Sequence, residues 1–153
     1  MRKSLTYTNS EYSFSVNYPV DWNVKEDLVE LVVIFGGPSV LEGIYDVNIN
    51  VNAERLHQEI ALEDFVTASD LKARRTIPNY STVQAYNTTI GGLPAIVLVA
   101  TLSVKCNGKK VDLKNKYAIV IKDKVAYTIT YDAPAECHDE YADCFDLVIS
   151  SFK

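Results

Sequence analysis

Alternating apolar and polar residues in the last third of the chain predict a β-hairpin. In segments 117–121 and 125–131, β-branched and aromatic residues recur at every second position, and a period of two is typical of β-strands. Only Lys122, Asp123 and Lys124 separate the two segments, which permits a short antiparallel return. The pattern therefore predicts two adjacent antiparallel strands.

Similar patterns predict that much of the remaining chain forms strands. Residues 12–18 alternate cleanly, whereas residues 95–102 are almost continuously apolar, as in a strand that is covered on both faces. The segment Gly36-Gly37-Pro38 is expected to end the strand before it. The predicted strands are, in order, residues 12–18, 22–25, 31–35, 44–51, 80–89 and 95–102, followed by a lysine-rich connection over 104–115 and the hairpin.

One internal segment changes to the helical period. In residues 61–75, apolar and small side chains recur at spacings of three and four, which is typical of an amphipathic helix. Pro78 follows this segment and cannot extend a helix. Leu71 does not fit the predicted apolar face. The residues on that face are Leu62, Phe65, Val66, Ser69 and Ala73.

The chain is predicted to end in a second helix. Pro134 suits the first turn of a helix, and Asp132 is expected to cap it. One stripe of this helix is predicted to pack on the sheet, with its two cysteines as small apolar core residues. The stripe consists of Cys137, Tyr141, Cys144, Phe145, Val148 and Phe152. The opposite side carries Glu136, Asp139, Glu140, Asp143 and Asp146.

These elements predict a single α+β domain over residues 1–153. Several antiparallel strands and two separate helices, with no regular strand–helix alternation, favour a central antiparallel sheet of about six or more strands between helical layers. A chain of 153 residues can bury a sizeable core without disulfides or metals. Three cysteines without CxxC spacing favour reduced thiols.

The charges are distributed unevenly along the chain. The net charge is −5, yet residues 105–124 contain seven lysines and two aspartates. Such a stretch is most often a solvated loop, and its functional alternative is electrostatic docking to an acidic protein partner or an anionic membrane surface. Nucleic acid is not expected as a partner, because the basic residues are confined to one hairpin. The lysines predicted to bind a partner are Lys105, Lys109, Lys110, Lys114 and Lys116.

The acidic side of the terminal helix is a weak candidate metal site. Asp139 and Asp143 are one turn apart, Asp146 lies nearly one turn further, and His138 is adjacent. Carboxylates on one helix face can hold a hydrated divalent cation, such as calcium, manganese or zinc, weakly. The favoured alternative is a solvated acidic face near a helix N-terminus, so no cofactor is expected.

Catalytic motifs are not recognisable in this sequence. His57 and His138 are the only histidines, neither lies in a nucleophile motif, and G-x-S-x-G does not occur. The segment Gly36-Gly37-Pro38-Ser39 lacks the ending of a phosphate-binding loop. The protein is therefore expected not to be an enzyme.

Neither a membrane span nor an export signal is recognisable in the sequence. The longest apolar stretch, residues 93–102, is far shorter than the about 20 residues of a membrane-spanning helix. Met1, Arg2 and Lys3 form a basic start that no apolar region follows, so no signal peptide is predicted. The protein is expected in the cytoplasm if this N-terminus is complete, and outside it if a leader has been removed.

A pattern of aromatic residues near the N-terminus resembles a known family signature. Residues 12–22 match Y-x-F-x-x-x-Y-P-x-x-W, which resembles the opening of the PsbP family, extrinsic proteins of photosystem II and their prokaryotic relatives. The similarity covers nearly the whole chain, although each motif is short and structural. The other matching segments are 46–51, 62–65, 91–95 and 127–131, with Tyr141, Phe145 and the closing residues 150–152.

The resemblance implies a central antiparallel sheet between helical layers. The family shares this fold with a Ran-binding nuclear import factor and with a bacterial family that includes secretion-effector chaperones. It implies structural roles for Tyr18 and Trp22 on either side of the turn at Pro19.

Three functions are consistent with the sequence. The first, which is favoured, is a non-enzymatic docking or assembly module that binds a protein complex, including one at a membrane surface. The second is an intracellular chaperone or carrier with an apolar groove on one sheet face. The third is an extracytoplasmic domain that binds a divalent cation weakly.

Overall fold

Most of the chain forms one antiparallel sheet. This computed structural model describes residues 3–26 and 28–153; Met1 and Arg2, part of the predicted basic start, lie outside the described residues. The strands are β1 (Ser4–Asn9), β2 (Phe14–Pro19), β3 (Asn23–Lys25), β4 (Val33–Val40), β5 (Tyr45–Arg55), β6 (Ser81–Ile90), β7 (Leu93–Cys106), β8 (Lys109–Lys122) and β9 (Val125–Pro134). The helices are α1 (Leu62–Thr76) and α2 (His138–Ser151), with a short 3-10 helix at Ala135–Cys137 before α2.

Seven strands form the main sheet in the order β3-β4-β5-β9-β8-β7-β6, and all neighbouring pairs are antiparallel. β1 and β2 form a separate two-stranded sheet.

The predicted hairpin consists of β8 and β9, with β9 at the centre of the main sheet. Its turn residues Asp123 and Lys124 have φ angles of 51° and 61°, the left-handed conformation that matches the twist of a two-residue hairpin. The predicted α+β class and antiparallel sheet are confirmed.

The main core lies on one face of the sheet, beneath α2 and the β1–β2 sheet. Alternate residues of the central strands point into it, among them Ile49 and Ile129. The ring of Phe152 stacks on Phe14 with centroids 5.9 Å apart. Of the predicted helical stripe, Cys144, Phe145, Val148 and Phe152 are buried, whereas Cys137 and Tyr141 are half-buried.

Helix α1 lies on the other face, over β7 and β8. Val66 is buried there and packs with Leu98 and Ile119. Leu71 is 47% exposed, in agreement with its misfit to the predicted apolar face. A cleft separates α1 from β5, so this face of the sheet is less completely covered than the main core.

The helix start predicted at Asp132 and Pro134 is wrong. β9 continues to Pro134, and Asp132 pairs in register with Asn48 of β5 and Asn115 of β8. Because β9 is hydrogen-bonded on both sides, sheet pairing outweighs the local preference of aspartate for a helix cap. α2 begins at His138 instead, without a side-chain cap.

The strand end predicted at Gly36, Gly37 and Pro38 is also wrong. β4 continues through these residues with a β-bulge after Gly36. A Cβ atom built on Gly37 would lie 2.7 Å from Cζ2 of the buried Trp22 ring. The missing side chain at Gly37 therefore lets the indole lie against the strand, which the local sequence does not reveal.

The lysine-rich connection predicted over 104–115 is wrong, because residues 104–106 belong to β7 and residues 109–115 to β8. β1 was not predicted, although it pairs with β2 along its whole length. The apolar segment 95–102 belongs to β7 and residues 95–100 are buried, as expected for a strand covered on both faces. It lies next to the edge strand β6.

Within the described residues, no helix is long and apolar enough to span a membrane. No disulfide joins Cys106, Cys137 or Cys144 in this part of the chain.

Candidate functional site

Strands β7 and β8 extend past the rest of the sheet as a two-stranded ribbon. β6 pairs with β7 only as far as Thr101, and β9 pairs with β8 only as far as Leu113. Among the residues that the structure describes, segments 103–106 and 109–112 therefore pair only with each other. The Asn107–Gly108 turn between them has φ angles of 52° and 78°, as expected for an Asn-Gly hairpin. We call this segment, residues 103–112, the β7–β8 ribbon.

Four of the five predicted docking lysines share one face of β7 and β8. Lys105 and Lys110 are cross-strand partners, and side chains alternate between the two faces of a strand. Lys110 therefore lies on the same face as Lys114 and Lys116. Lys105 and Lys110 are exposed, whereas Lys114 and Lys116 are half-buried. We call these four residues the lysine face.

The lysine face places like charges next to each other. Lys105 and Lys110 lie directly opposite on their strands, an arrangement that destabilises a sheet. Asp112 compensates in part, because its Oδ1 lies 3.8 Å from Lys110 Nζ and accepts a 2.9 Å hydrogen bond from Ser103 Oγ. This ion pair is well exposed to solvent, so it contributes little. The lysine face therefore keeps a net positive charge, and the repulsion between its lysines destabilises the sheet.

Lys109 lies on the opposite face of the ribbon, paired with Cys106. Near its base this reverse face is apolar, since buried Val111 packs in one cluster with Val104 and with Leu41 of the β4–β5 turn. The ribbon is therefore anchored through its reverse face, which leaves the lysine face outward. The structure brings four of the predicted lysines together and separates the fifth from them.

His138 joins the start of α2 to the lysine face. Its ring is buried, and Nδ1 lies 2.9 Å from the carbonyl oxygen of Lys114; in this geometry an Nδ1–H group donates to that oxygen. The Tyr131 hydroxyl donates a 2.6 Å hydrogen bond to the His138 carbonyl. Burial first, and then the charges of Lys114 and Lys116, lower the pKa of His138 below its ordinary value. The imidazole is therefore neutral at pH 7.

The three aspartates of the candidate metal site lie on the exposed side of α2. Asp139, Asp143 and Asp146 are all exposed. The ring of His138 is turned to β8, where it meets Lys114. Across residues 3–26 and 28–153, no group of three histidine, cysteine or acidic side chains is placed to hold a metal ion.

A row of polar residues crosses the α1 face of the sheet, and the sequence did not reveal it as a site. Asn48, Asp132 and Asn115 are paired in register across β5, β9 and β8. Asn50 donates a 3.1 Å hydrogen bond from Nδ2 to Asp132 Oδ2. Burial raises the pKa of Asp132 to about 6, and the Asn50 hydrogen bond opposes that rise. The alternation of Asn48 and Asn50 was visible in the sequence, but their meeting with Asp132 depends on strand order.

Two tyrosines flank this polar row. The Tyr117 hydroxyl accepts a 3.1 Å hydrogen bond from Asn115 Nδ2. Burial raises the pKa of Tyr45 and of Tyr117 above the ordinary value, and the charge of Asp132 raises each further. Both phenols are therefore protonated at neutral pH. The carboxyl group of Asp132, with a pKa of about 6, titrates close to neutral pH.

A cleft lies between α1 and the sheet beside this row. A cavity of about 190 Å³ beneath the helix is lined in part by Ala73, Ile77 and Ile119. Towards β5 it adjoins a wider groove of about 710 Å³, which shares Ala73, Ile77 and Tyr117 as lining residues. The cleft is the feature that a carrier of small apolar molecules would need.

Several solved structures share this fold. The cyanobacterial PsbP protein of Synechocystis sp. PCC 6803 matches 100% of this chain and 93% of its own, with a TM-score of 0.69 and 14% identity. LpqN of Mycobacterium tuberculosis, described as involved in cell envelope biogenesis, matches 99% of this chain and 90% of its own, with a TM-score of 0.72 and 13% identity. The Ran-binding protein Mog1p of Saccharomyces cerevisiae matches 100% of this chain and 96% of its own, with a TM-score of 0.65 and 8% identity.

The chain therefore has the PsbP-like fold that its sequence motifs predicted. No family model and no curated protein matches the sequence. At these identities the likeness shows the fold alone, and function has to be argued from the surfaces of this chain.

Proposed function

We propose that this protein is a non-enzymatic docking module that binds an acidic surface of a protein complex through the lysine face. The observation that carries the proposal is the alignment of Lys105 opposite Lys110 on a ribbon that projects from the sheet. Such a pair weakens the sheet, and an acidic partner surface would relieve this repulsion. Electrostatic complementarity of this kind speeds association and orients the partner.

The fold supports a binding role of this type. Mog1p, which has the same fold, is described as a Ran-binding protein. The ribbon itself is suited to docking, because its apolar reverse face holds it against the β4–β5 turn. A partner that meets the lysine face therefore meets a surface that is already ordered, which lowers the entropic cost of binding.

The proposal is tested by affinity capture from extracts of the source cells, with the tagged protein as bait. The test variant replaces Lys105, Lys110, Lys114 and Lys116 with glutamate. The charge-matched control replaces Lys25, Lys72, Lys109 and Lys124, all exposed and outside the lysine face. Recovered proteins are identified by mass spectrometry at low and at high NaCl.

The wild type and the control are expected to recover the same complex at low salt. The test variant should lose it, and high salt should release it from the wild type, because the screening length falls from about 10 Å at 0.1 M to about 3 Å at 1 M salt. If neither the test variant nor the control recovers the complex, the loss of binding results from the change in net charge and not from the lysine face. Capture by the test variant at the wild-type level would contradict the proposal.

A carrier function is the second candidate, and the cleft beneath α1 is the observation that favours it. Ala73 lines both parts of the cleft, so Ala73→Trp should fill it. Titration with the apolar dye 1-anilinonaphthalene-8-sulfonate should give saturable binding in the wild type and reduced binding in this variant. Equal dye binding in the two proteins would exclude the cleft as the carrier site.

A further inference from the structure

Strand β6 is an uncharged edge of the main sheet. It is the last strand in the sheet order, and its ten residues, STVQAYNTTI, contain neither a charged residue nor proline. Natural edge strands usually carry lysine or proline, or are very short, which prevents pairing with other strands. The opposite edge, β3, has only three residues and includes Lys25. β6 is thus a free edge without charge or proline, and the register shift between Thr82 and Gln84 leaves residues 84–90 in regular pairing with β7.

Exposed apolar residues accompany this edge. Val83 is 57% and Tyr86 39% exposed on β6, and Leu71 of α1 is 47% exposed. Leu71 lines a groove of about 510 Å³ between α1 and β6, together with Val66 and Ala85. Leu71 is also the residue that does not fit the sheet-facing side of its helix. The groove therefore lies beside the free edge, and Glu63, Asp70 and Arg74 of α1 also line it.

We propose that β6 pairs antiparallel with β6 of a second copy of this chain, which would join the two main sheets into one. A two-fold axis at Tyr86, beside the midpoint of β6, places the two Tyr86 residues directly opposite each other on the same face. Aromatic cross-strand pairs stabilise a sheet. Because the strand is uncharged, no like charges on β6 oppose each other in this arrangement.

The charges of α1 favour this two-fold arrangement. α1 has acidic residues in its first turn, Glu63 and Asp64, and basic residues in its last turn, Arg74 and Arg75. A two-fold axis perpendicular to the sheet makes the two α1 helices antiparallel on the same face. The acidic first turn of each helix is then on the same side as the basic last turn of the other. Such complementarity orients the two copies as they meet.

The proposal is tested by sedimentation velocity of the wild type from micromolar to near-millimolar concentration, at low and at high NaCl. A monomer–dimer equilibrium is expected that survives high salt, because backbone hydrogen bonds form most of the contact. Tyr86→Lys should shift the protein to monomer, since like charges then meet near the axis. Val24→Lys, on the opposite edge strand β3, is the matched control and should leave the dimer unchanged.

A second experiment separates pairing from loss of folding. Tyr86→Glu alone should also be monomeric, and an equimolar mixture of the two Tyr86 variants should restore a dimer. Hydrogen exchange of β6 amides in the wild type should slow as concentration rises. A monomer at every concentration, or a dimer that neither Tyr86 variant weakens, would overturn the proposal. Slowed exchange of β6 only on addition of an extended peptide would also overturn it, in favour of a peptide-binding edge.

Discussion

Asp132 and Asn115 lie directly opposite each other on the central strands β9 and β8. Asn115 is 3% exposed, and its Oδ1 has no hydrogen-bond partner in the described part of the chain. Burial raises the pKa of Asp132 to about 6, and a protonated carboxyl group is a hydrogen-bond donor. A proton on Asp132 can therefore provide the donor that Asn115 lacks, so ionisation of Asp132 opposes folding.

Asp132→Asn is expected to stabilise the protein at pH 7. The pKa in the folded state exceeds the unfolded value of about 3.9, so the free energy of unfolding of the wild type falls between about pH 4 and pH 6. The amide keeps an acceptor for Asn50 and adds a donor for Asn115. At pH 7 the free energy of unfolding should rise by up to about 3 kcal/mol, and below pH 4 the gain should vanish. Urea denaturation across this pH range checks the prediction.

The control for this experiment is Asp146→Asn, which changes an exposed carboxylate on α2. It should leave the pH dependence of stability close to that of the wild type. If Asp132→Asn raises the free energy of unfolding at pH 7 no more than Asp146→Asn does, the carboxyl group of Asp132 does not oppose folding.

His138 is expected to give the free energy of unfolding a pH dependence opposite in sign to that from Asp132. His138→Asn should remove it. The folded-state pKa of His138 is lowered, so its contribution to stability is present above the unfolded pKa of about 6.5 and decreases as the pH falls below it. The asparagine Nδ2 can donate to the Lys114 carbonyl in place of Nδ1 but does not titrate. Relative to this variant, the wild type should lose stability as the pH falls below about 6.5. Parallel stability curves for the two proteins would show that His138 does not titrate in this way.

Gly37→Ala is expected to destabilise the protein, whereas Gly36→Ala is not. A Cβ at Gly37 would collide with the Trp22 ring, while at Gly36 the nearest atom would be 3.8 Å away. Overpacking of this kind costs about 1–3 kcal/mol. Trp22 is the only tryptophan, so its fluorescence reports the displacement directly during denaturation. Equal stability of the two variants, with unchanged emission, would show that the indole moves aside without cost.

Local patterns predicted most of the strands, and long-range contacts explain the errors. The alternation in β5 and β9 is visible in the sequence because each strand has one face on the main core. The indole of Trp22 lies against Gly37 at the bulge of β4, and the strand conformation of Asp132 depends on pairing with β5 and β8. Neither contact can be read from neighbouring residues in the sequence.

The lysine face was only partly predictable. The sequence showed a basic stretch, and the alternation of a strand separates Lys109 from Lys110, Lys114 and Lys116. The position of Lys105 opposite Lys110 requires the register around the Asn107–Gly108 turn. The polar row around Asp132 depends on the order of three strands that are distant in the sequence, so no local signal could identify it.

The central claim is that the lysine face serves binding at the expense of stability, and Lys105→Glu tests it most directly. The variant places a carboxylate opposite Lys110, and an opposite-charge cross-strand pair contributes roughly 0.2–1 kcal/mol. Urea denaturation and affinity capture are measured on the same samples. The account predicts a higher free energy of unfolding together with weaker capture of the partner complex. A variant that is less stable than the wild type and captures the complex equally well would contradict it.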